Sequence, residues 1–377
     1  MKDSDNLLMV ADSDHDANML YATGMFVPDA FIYLQLRGRS YIVMSDLEIG
    51  RARKQAPHCR VLSLSHYKNK LRREGVKSPG FAQVVSEILR ERRVRQVLVP
   101  HNFSCGLADE LRHRRVKVEP RPGAFFPQRE QKAPAEVKKI SAALMMAEVG
   151  MAEAMQALRS SKIGKNRKLI YHNVPLTSEK LRSVIDTAII QVNGVASHTI
   201  VAGGKQGCDP HETGHGPLRA NEPIIIDIFP RSQATGYFGD ITRTVVRGRA
   251  SEAVRKLYDT VLQGQRLAFK KMRPGVRGVE VHSAVQELFE REGYKTGSHK
   301  GRMQGFFHGT GHGLGLDIHE APRTGPESTD ILKPGQVVTV EPGLYYPSLG
   351  GVRLEDVALV TRNQPRNLTR FEKVLEI

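Results

Sequence analysis

Between residues 308 and 320 the chain carries the run His308-Gly309-Thr310-Gly311-His312-Gly313-Leu314-Gly315-Leu316-Asp317-Ile318-His319-Glu320. Glycine at every second position from 309 to 315 lets other groups approach the backbone closely. The spacing does not fit a dinucleotide-binding GxGxxG loop, because Leu314 stands where the third glycine is required. The run therefore indicates a site whose remaining groups come from elsewhere in the chain.

Two apolar strands before this run each bring a carboxylate. Asp227 lies inside Ile224-Ile225-Ile226-Asp227-Ile228-Phe229, and Asp240 opens the next predicted strand, residues 240–246. The residues between them are rich in turn formers, so we expect a hairpin that sets the two aspartates side by side. A lone carboxylate in such a strand is costly to bury, so Asp227 must be paired, hydrogen-bonded or bound to a cation.

Two further carboxylates follow the histidine run. Glu341 ends an apolar strand, residues 336–341, and Glu355 lies in a predicted strand over 352–360, with the turn-rich residues 346–351 between them. Four converging carboxylates would repel one another, and two divalent cations would remove that repulsion and activate a water for attack on a carbonyl. Oxygen-rich ligation with one histidine suits Mn, Co, Fe or Zn. The alternative is buried salt bridges to Arg243, Arg323 and Arg353.

The histidine run, with these four acids in this order, resembles the pita-bread metallopeptidases, a family that includes prolidases, Xaa-Pro aminopeptidases and methionine aminopeptidases. The run matches the proline-specific branch. The resemblance implies an α+β pita-bread catalytic domain preceded by a smaller α/β domain like that of creatinase and prolidase. In that smaller domain, residues 18–24 resemble an early strand motif.

The resemblance also implies a role for each matching residue. Asp227 would bind one metal, Asp240 and Glu355 would bridge two, and His312 and Glu341 would complete the second. Glu341 would also shuttle protons, and His319 would donate to the oxyanion of the transition state. His308 would lie near the proline ring and the leaving nitrogen. Arg353 would orient Glu355, because residues i and i+2 of one strand share a face.

A second histidine pair lies upstream, in His211-Glu212-Thr213-Gly214-His215, which spells the HExxH signature of zinc proteases. That motif binds zinc only on a helix. Here Pro210 precedes it and Gly216-Pro217 follow it, so we predict a loop and no helical zinc site. By resemblance one of the two histidines contacts the substrate. His211 is favoured, and a role for His215 stays open.

Clustered proline and glycine between residues 120 and 134 mark a linker, and they predict domains over 1–130 and 131–377. In the first domain we predict a hairpin at 31–44, helices at 81–92 and 107–115, and strands at 94–99 and 116–118. In the second we predict helices at about 134–158, 178–191, 252–272 and 279–292, and a strand at 223–229 besides those above.

Composition narrows the class of protein. There are 56 Lys+Arg against 40 Asp+Glu, a net charge of +16, but no nucleic-acid-binding motif accompanies them, so no specific nucleic acid partner is expected. The three cysteines lie far apart and form no CxxC pair, which excludes a disulfide framework and a cysteine zinc site. The acidic start, Met1 to Asp5, and the lack of long apolar runs predict neither leader nor membrane span, and hence a cytoplasmic protein.

The resemblance implies a dinuclear metal-dependent peptidase, with Mn the favoured ion, that cleaves the bond before proline in N-terminal Xaa-Pro peptides. It also implies a homodimer. Three alternatives remain: a creatinase-like hydrolase, a methionine aminopeptidase and a non-catalytic binding module. All five ligand positions carry ligating residues, which disfavours the first and the third. The long N-terminal domain and the histidine run disfavour the second.

Overall fold

The computed structural model describes residues 5–377, so the first four residues of the acidic start lie outside the described part. The chain divides into two compact units, the first ending at Arg129 and the second spanning Glu130–Ile377. Within the described residues, no helix combines the length and the apolar character needed to cross a membrane. The three cysteines, Cys59, Cys105 and Cys208, are free thiols.

The first unit is a mixed sheet of six strands with helices on both faces. Its elements are β1 Leu7–Ala11, α1 Ala17–Thr23, β2 Phe31–Leu36, β3 Arg39–Met44, α2 Ile49–Gln55, β4 Arg60–Ser63, α3 Leu64–Arg73, α4 Phe81–Glu91, β5 Gln96–Val99, α5 Cys105–His113 and β6 Lys117–Pro120. The strand order is β4-β3-β2-β1-β5-β6. Alternate residues of β2 enter opposite cores: Ile32 packs in the one covered by α3, α4 and α5, and Tyr33 in the one covered by α1 and α2.

The predicted hairpin at 31–44 is present as β2 and β3, which pair antiparallel. The strand expected over residues 18–24 is wrong, because this segment is helix α1. Asp16 caps the helix by accepting a hydrogen bond from the Met19 amide at 2.8 Å. Gly24, with a φ of 69°, then ends it in the left-handed conformation that glycine adopts most readily.

The second unit contains four long helices and short antiparallel strands. The helices are α6 Pro134–Ser160, α7 Ser178–Gln191, α8 Glu252–Lys271 and α9 Gly278–Arg291. The strands are β7 Lys162–Ile163, β8 Leu169–Tyr171, β9 Val174–Pro175, β10 Gly194–Val195, β11 Ile200–Gly203, β12 Ile224–Ile228, β13 Arg231–Ser232, β14 Ile241–Val245, β15 Gly297–His299, β16 Arg302–Gln304, β17 Gly311–Gly313, β18 Glu320–Thr324, β19 Val337–Val340, β20 Gly343–Tyr346, β21 Gly350–Arg353, β22 Asp356–Leu359 and β23 Arg366–Asn367.

Two antiparallel sheets of this unit carry the site. One has the order β11-β12-β14 and the other β18-β17-β19-β22-β23, while β20 and β21 form a separate hairpin. Helices α8 and α9 bury their apolar faces against β19 and β20, with Val261, Phe289, Val340 and Leu344 in one core. All the predicted helices of this unit are present, and the α+β architecture follows.

The single strand predicted over residues 352–360 is wrong. The chain leaves β21 at Arg353 and enters β22 at Asp356, and β22 rather than β21 pairs with β19. The turn at 346–351 closes the β20–β21 hairpin instead of joining Glu341 directly to Glu355. In the break, the amide of Glu355 donates to the carbonyl of Thr242 on β14 at 3.0 Å. The change of partner strand therefore aims Glu355 between the two sheets.

Candidate functional site

One cavity of about 1020 Å³ in the second unit brings together all nine side chains expected in a site. They are His211, Asp227, Asp240, His308, His312, His319, Glu341, Arg353 and Glu355. They come from the two sheets, the β20–β21 hairpin, the turns beside these strands and the loop after β11. Strands β12 and β14 pair antiparallel, which places Asp227 opposite Thr242. Asp240 lies immediately before β14.

The glycines of the histidine run allow close backbone contacts there. A Cβ on Gly311 would overlap the carbonyl oxygen of Thr339, and one on Gly313 would overlap that of Ala321. Strand β17 therefore fits between β18 and β19 only because these positions are glycine. The close approach predicted from the alternating glycines is confirmed, and it holds His312 between the two neighbouring strands.

Asp240, His312 and Glu355 form the tightest group in the cavity. One possible ligand atom from each lies within 4.8 Å of the other two, and all three side chains are buried. His312 Nε2 is 3.2 Å from Glu341 Oε1 and 3.8 Å from Asp240 Oδ2. Its Nδ1 lies 3.1 Å from the carbonyl oxygen of Gly313, a contact that places a proton on Nδ1 and directs Nε2 toward the two carboxylates.

Asp227 is held from the opposite side. Arg353 Nη2 donates to Asp227 Oδ2 at 2.6 Å, and Arg353 Nη1 donates to the hydroxyl of Tyr345 at 3.1 Å. The expectation that Arg353 orients Glu355 from a shared strand face is wrong, because β21 ends at Arg353 and Glu355 lies beyond it. Glu355 is bound instead by Thr242, whose hydroxyl donates to Oε2 at 2.8 Å.

Buried salt bridges to arginine, the alternative to metal binding, account for one of the four acids. Asp227 pairs with Arg353, whereas Arg243 pairs with Asp356 at 2.9 Å and donates to the backbone carbonyl of Glu355 at 2.6 Å. Arg323 lines the cavity and is exposed. Asp240, Glu341 and Glu355 therefore share the cavity without an arginine partner among the described residues.

The electrostatics show an excess of negative charge. Burial and the neighbouring carboxylates raise the pKa of Asp240 and of Glu355 well above the usual carboxyl range. Burial also raises the pKa of Asp227, against the opposing charge of Arg353. Burial opposes ionisation of Glu341 too, but the hydrogen bond and charge of His312 lower its pKa to about 2.

Among the described residues, two buried carboxylate oxygens have no hydrogen-bond partner, Oδ1 of Asp227 and Oε1 of Glu355. Buried polar atoms are normally satisfied, so unpaired oxygens on ionisable groups at a cavity wall are suited to bind a cation. Hard oxygen donors with one imidazole nitrogen are the ligands that Mn and related divalent ions take. The residues present therefore fit a divalent metal.

Aromatic side chains form the wall beside His308. Its Nε2 lies 2.8 Å from the Tyr345 hydroxyl, and burial lowers the pKa of its ring to about 4. The Phe307 and Tyr345 rings are 5.3 Å apart. The sequence analysis missed Tyr345, although it links His308 to Arg353. The available signal was the position of Tyr345 in the sequence. It follows Glu341-Pro342-Gly343-Leu344 and lies in a strand that turns back at the site.

His319 lies at the exposed side of the cavity. Its ring is 4.4 Å from that of His312, nearly perpendicular to it, and burial together with neighbouring positive charge lowers its pKa. Residues 315–319 form a series of bends and not an extended strand. The local turn, rather than strand alternation, directs His319 into the cavity.

The segment 211–215 forms a loop, and no helix places its histidines on one face. A Cβ on Gly214, whose φ is 82°, would overlap the carbonyl of Val201, so the loop is pressed onto β11. His211 lines the cavity of the site, whereas His215 lines a different cavity of about 620 Å³. The structure therefore separates the two histidines that the sequence left as alternatives.

Comparisons with known proteins agree with this geometry. The family model described as metallopeptidase family M24 matches residues 138–362. A curated Xaa-Pro dipeptidase of Pyrococcus furiosus is 37% identical over 191 residues, which cover 50% of this chain and 52% of that protein. One of Pyrococcus horikoshii is 34% identical over the same shares. The matched segment thus spans about half the length of these relatives.

Solved structures match over nearly the whole chain. An Xaa-Pro dipeptidase from Bacillus anthracis superposes with a TM-score of 0.83 at 22% identity, covering 99% of this chain and 95% of that one. An X-Pro aminopeptidase from Thermotoga maritima gives a TM-score of 0.82 at 21% identity, covering 99% and 98%. At such identities these two likenesses establish the fold.

Proposed function

The chain belongs to metallopeptidase family M24, and on that premise we propose that it hydrolyses the bond before proline in N-terminal Xaa-Pro peptides. The family and the cluster of Asp240, His312 and Glu355 together support use of a divalent metal. The observation that carries the proposal is the unpaired buried oxygens of Asp227 and Glu355, which face one cavity with His312 and Glu341.

We propose that five side chains hold two divalent ions, with Mn the first choice: Asp227, Asp240, His312, Glu341 and Glu355. Two such ions would neutralise the converging carboxylates and lower the pKa of a water for attack on the scissile carbonyl. Neighbouring side chains orient these ligands. Arg353 and Thr242 fix the carboxylates of Asp227 and Glu355 through the hydrogen bonds described above.

The other side chains would act on the substrate. Glu341 would take up a proton and return it to the leaving nitrogen. His319 would donate to the developing oxyanion. His308 and Phe307 would contact the proline ring, which suits an apolar wall because proline nitrogen in a peptide carries no hydrogen. His211 would contact the peptide from the opposite loop.

One substrate panel tests this proposal. It contains Ala-Pro and Gly-Pro dipeptides, longer Xaa-Pro peptides, a Met-Ala peptide and creatine, each with and without Mn or Co. We expect hydrolysis of Xaa-Pro substrates that ceases after chelation and returns with Mn. Turnover of Met-Ala peptides or of creatine instead would support one of the rival hydrolases, and no turnover of any substrate would favour a binding module.

We also propose that the protein forms a homodimer, as the resemblance implies. Light scattering at micromolar concentration gives the mass directly. A value near 84 kDa, twice the 42.0 kDa chain, is expected. A value near 42 kDa would reject the dimer without bearing on the peptidase reaction.

A further inference from the structure

Lys132, two residues before α6, is a buried cation that the site does not use. Its side chain is 1% exposed, and its ammonium pairs with the carboxylate of Glu320, which is 12% exposed. Lysine is rarely this buried unless it is paired. Neither residue lines the cavity. The pair therefore lies behind the wall of the site and calls for an explanation of its own.

Glu320 directly follows His319 in the chain. The bends at 315–319 contain no regular strand, so His319 itself is not part of a ladder of strand hydrogen bonds. The Glu320 carboxylate instead folds back over Gly315, where an added Cβ would overlap Oε1. The carboxylate thus closes the turn that presents His319, and the Lys132 ammonium donates to this carboxylate.

The same turn reaches the metal-ligand side of the cavity. The amide of Phe238 donates to the carbonyl of Gly315 at 2.9 Å, two residues before Asp240. The Tyr237 hydroxyl donates to Glu136, in the first turn of α6, at 2.7 Å. The segment around the start of α6 therefore bonds to both the His319 turn and the Asp240 turn, which fixes their separation.

We propose that Lys132 is a positioning residue, whose ion pair with Glu320 holds the His319 imidazole against His312 for the reaction. The inference rests on the proposed function, and in particular on His319 as a donor to the oxyanion. Buried ion pairs add little net stability, and a role in fixing geometry is their better-supported use. Catalytic groups need placement within about 0.5 Å, which a single loop of bends cannot supply by itself.

The test compares Lys132→Met with Lys132→Arg and Glu320→Gln in the Mn-loaded full chain. We expect Lys132→Met to lower kcat for an Xaa-Pro peptide about 10²-fold, the usual effect of a 1 Å misplacement, with KM and Mn content unchanged. Lys132→Arg restores part of the loss because it keeps the charge. The double variant Lys132→Met/Glu320→Gln loses no more than either single variant, because both act through one contact.

The matched control is Lys70→Met in the first unit, where Lys70 pairs with the buried Glu87 at 2.6 Å. This variant loses a lysine–glutamate pair and keeps wild-type kcat. If Lys132→Met lowered only the melting temperature and kept its kcat, the pair would be structural and the inference would be wrong. Loss of Mn together with activity would equally overturn it, because the effect would then act on the metal ligands.

A measurement without substrate separates this inference from the proposed function. In Zn-loaded protein with ¹⁵N-labelled histidine, the His319 ring signals are assigned with His319→Gln. Lys132→Met is expected to shift or broaden them and to leave the signals of His58, in the first unit, unchanged. If the wild type cleaves no Xaa-Pro peptide, the proposed function fails while this coupling is still observed. If cleavage is normal and Lys132→Met alters neither kcat nor these signals, the inference alone fails.

Discussion

Arg353 donates from Nη2 to Oδ2 of Asp227 at 2.6 Å, and both side chains are buried at the wall of the cavity. This pair satisfies one oxygen of the aspartate, while the other has no protein partner. The arginine therefore offsets part of the cost of burying this carboxylate and fixes its orientation at the cavity wall. The same guanidinium donates to Tyr345, so it links the carboxylates to the aromatic wall.

Loss of this arginine is expected to destabilise the metal-free protein. In Arg353→Met the Asp227 carboxylate stays buried without its cation, a change that typically costs about 3–5 kcal/mol of unfolding free energy. Urea titration in the presence of a chelator gives the value. Arg255→Met, which breaks an exposed pair with Glu376, serves as the control and should cost about 1 kcal/mol or less. The arginine's role is refuted if the double variant Arg353→Met/Asp227→Asn is no more stable than Arg353→Met.

Measurements of metal content should show that His312 and Glu355 are metal ligands and that the neighbouring His319 is not. His312→Ala and Glu355→Ala are expected to lose bound Mn and activity, since each removes one of the clustered ligand atoms. His319→Ala should keep its Mn and its melting temperature but lower kcat about 10²–10³-fold, the usual effect of removing an oxyanion donor. Elemental analysis with steady-state kinetics makes the comparison. The opposite result, with metal lost from His319→Ala and kept by His312→Ala, would reverse these assignments.

His308 should make stability depend on pH. Burial lowers the pKa of its ring from 6.5 to about 4, so between these values the unfolded chain binds a proton that the folded chain does not. The unfolding free energy that the neutral His308 ring contributes is therefore intact above about pH 6.5, and it is lost as the pH falls towards 4. Between pH 7 and 4.5, metal-free wild type should lose about 2 kcal/mol more unfolding free energy than His308→Gln. Urea titrations at both pH values measure the difference, and equal losses would show that the ring is solvated.

The sequence predicted the acids of the site because they lie in or beside apolar strands, and it predicted the histidines because their run resembles that of a known family. Asp227 within a run of isoleucines is the clearest case, since nothing but a partner or a cation makes that position tolerable. The helix predicted at 178–191 is present with the same bounds, because Thr177 caps it and accepts from the Lys180 amide. Signals of this kind lie within a few residues of the feature that they predict.

The features that were missed depend on contacts distant in sequence. The break at Leu354 and Glu355 arises because β22 pairs with β19 while the Glu355 amide bonds to Thr242, and no local pattern encodes that change of partner. Glu320, which follows the bend at His319, pairs with Lys132, 188 residues earlier in the chain. Residues 18–24 are an exception, because the caps at Asp16 and Gly24, which favour a helix over the strand motif that these residues resembled, are local.

The choice between the two upstream histidines gives the final prediction. His211 lines the cavity of the site and His215 lines another, so only the first is placed to contact a peptide there. Both side chains are exposed, and loss of either should change the unfolding free energy by no more than about 0.5 kcal/mol. We expect His211→Ala to lower kcat/KM for Xaa-Pro peptides about 10-fold or more, the effect of losing about 1.4 kcal/mol of binding. His215→Ala is the matched control and should retain wild-type kinetics. Steady-state assays of both variants on one peptide decide the matter, and a larger loss in His215→Ala would transfer substrate contact to the second cavity.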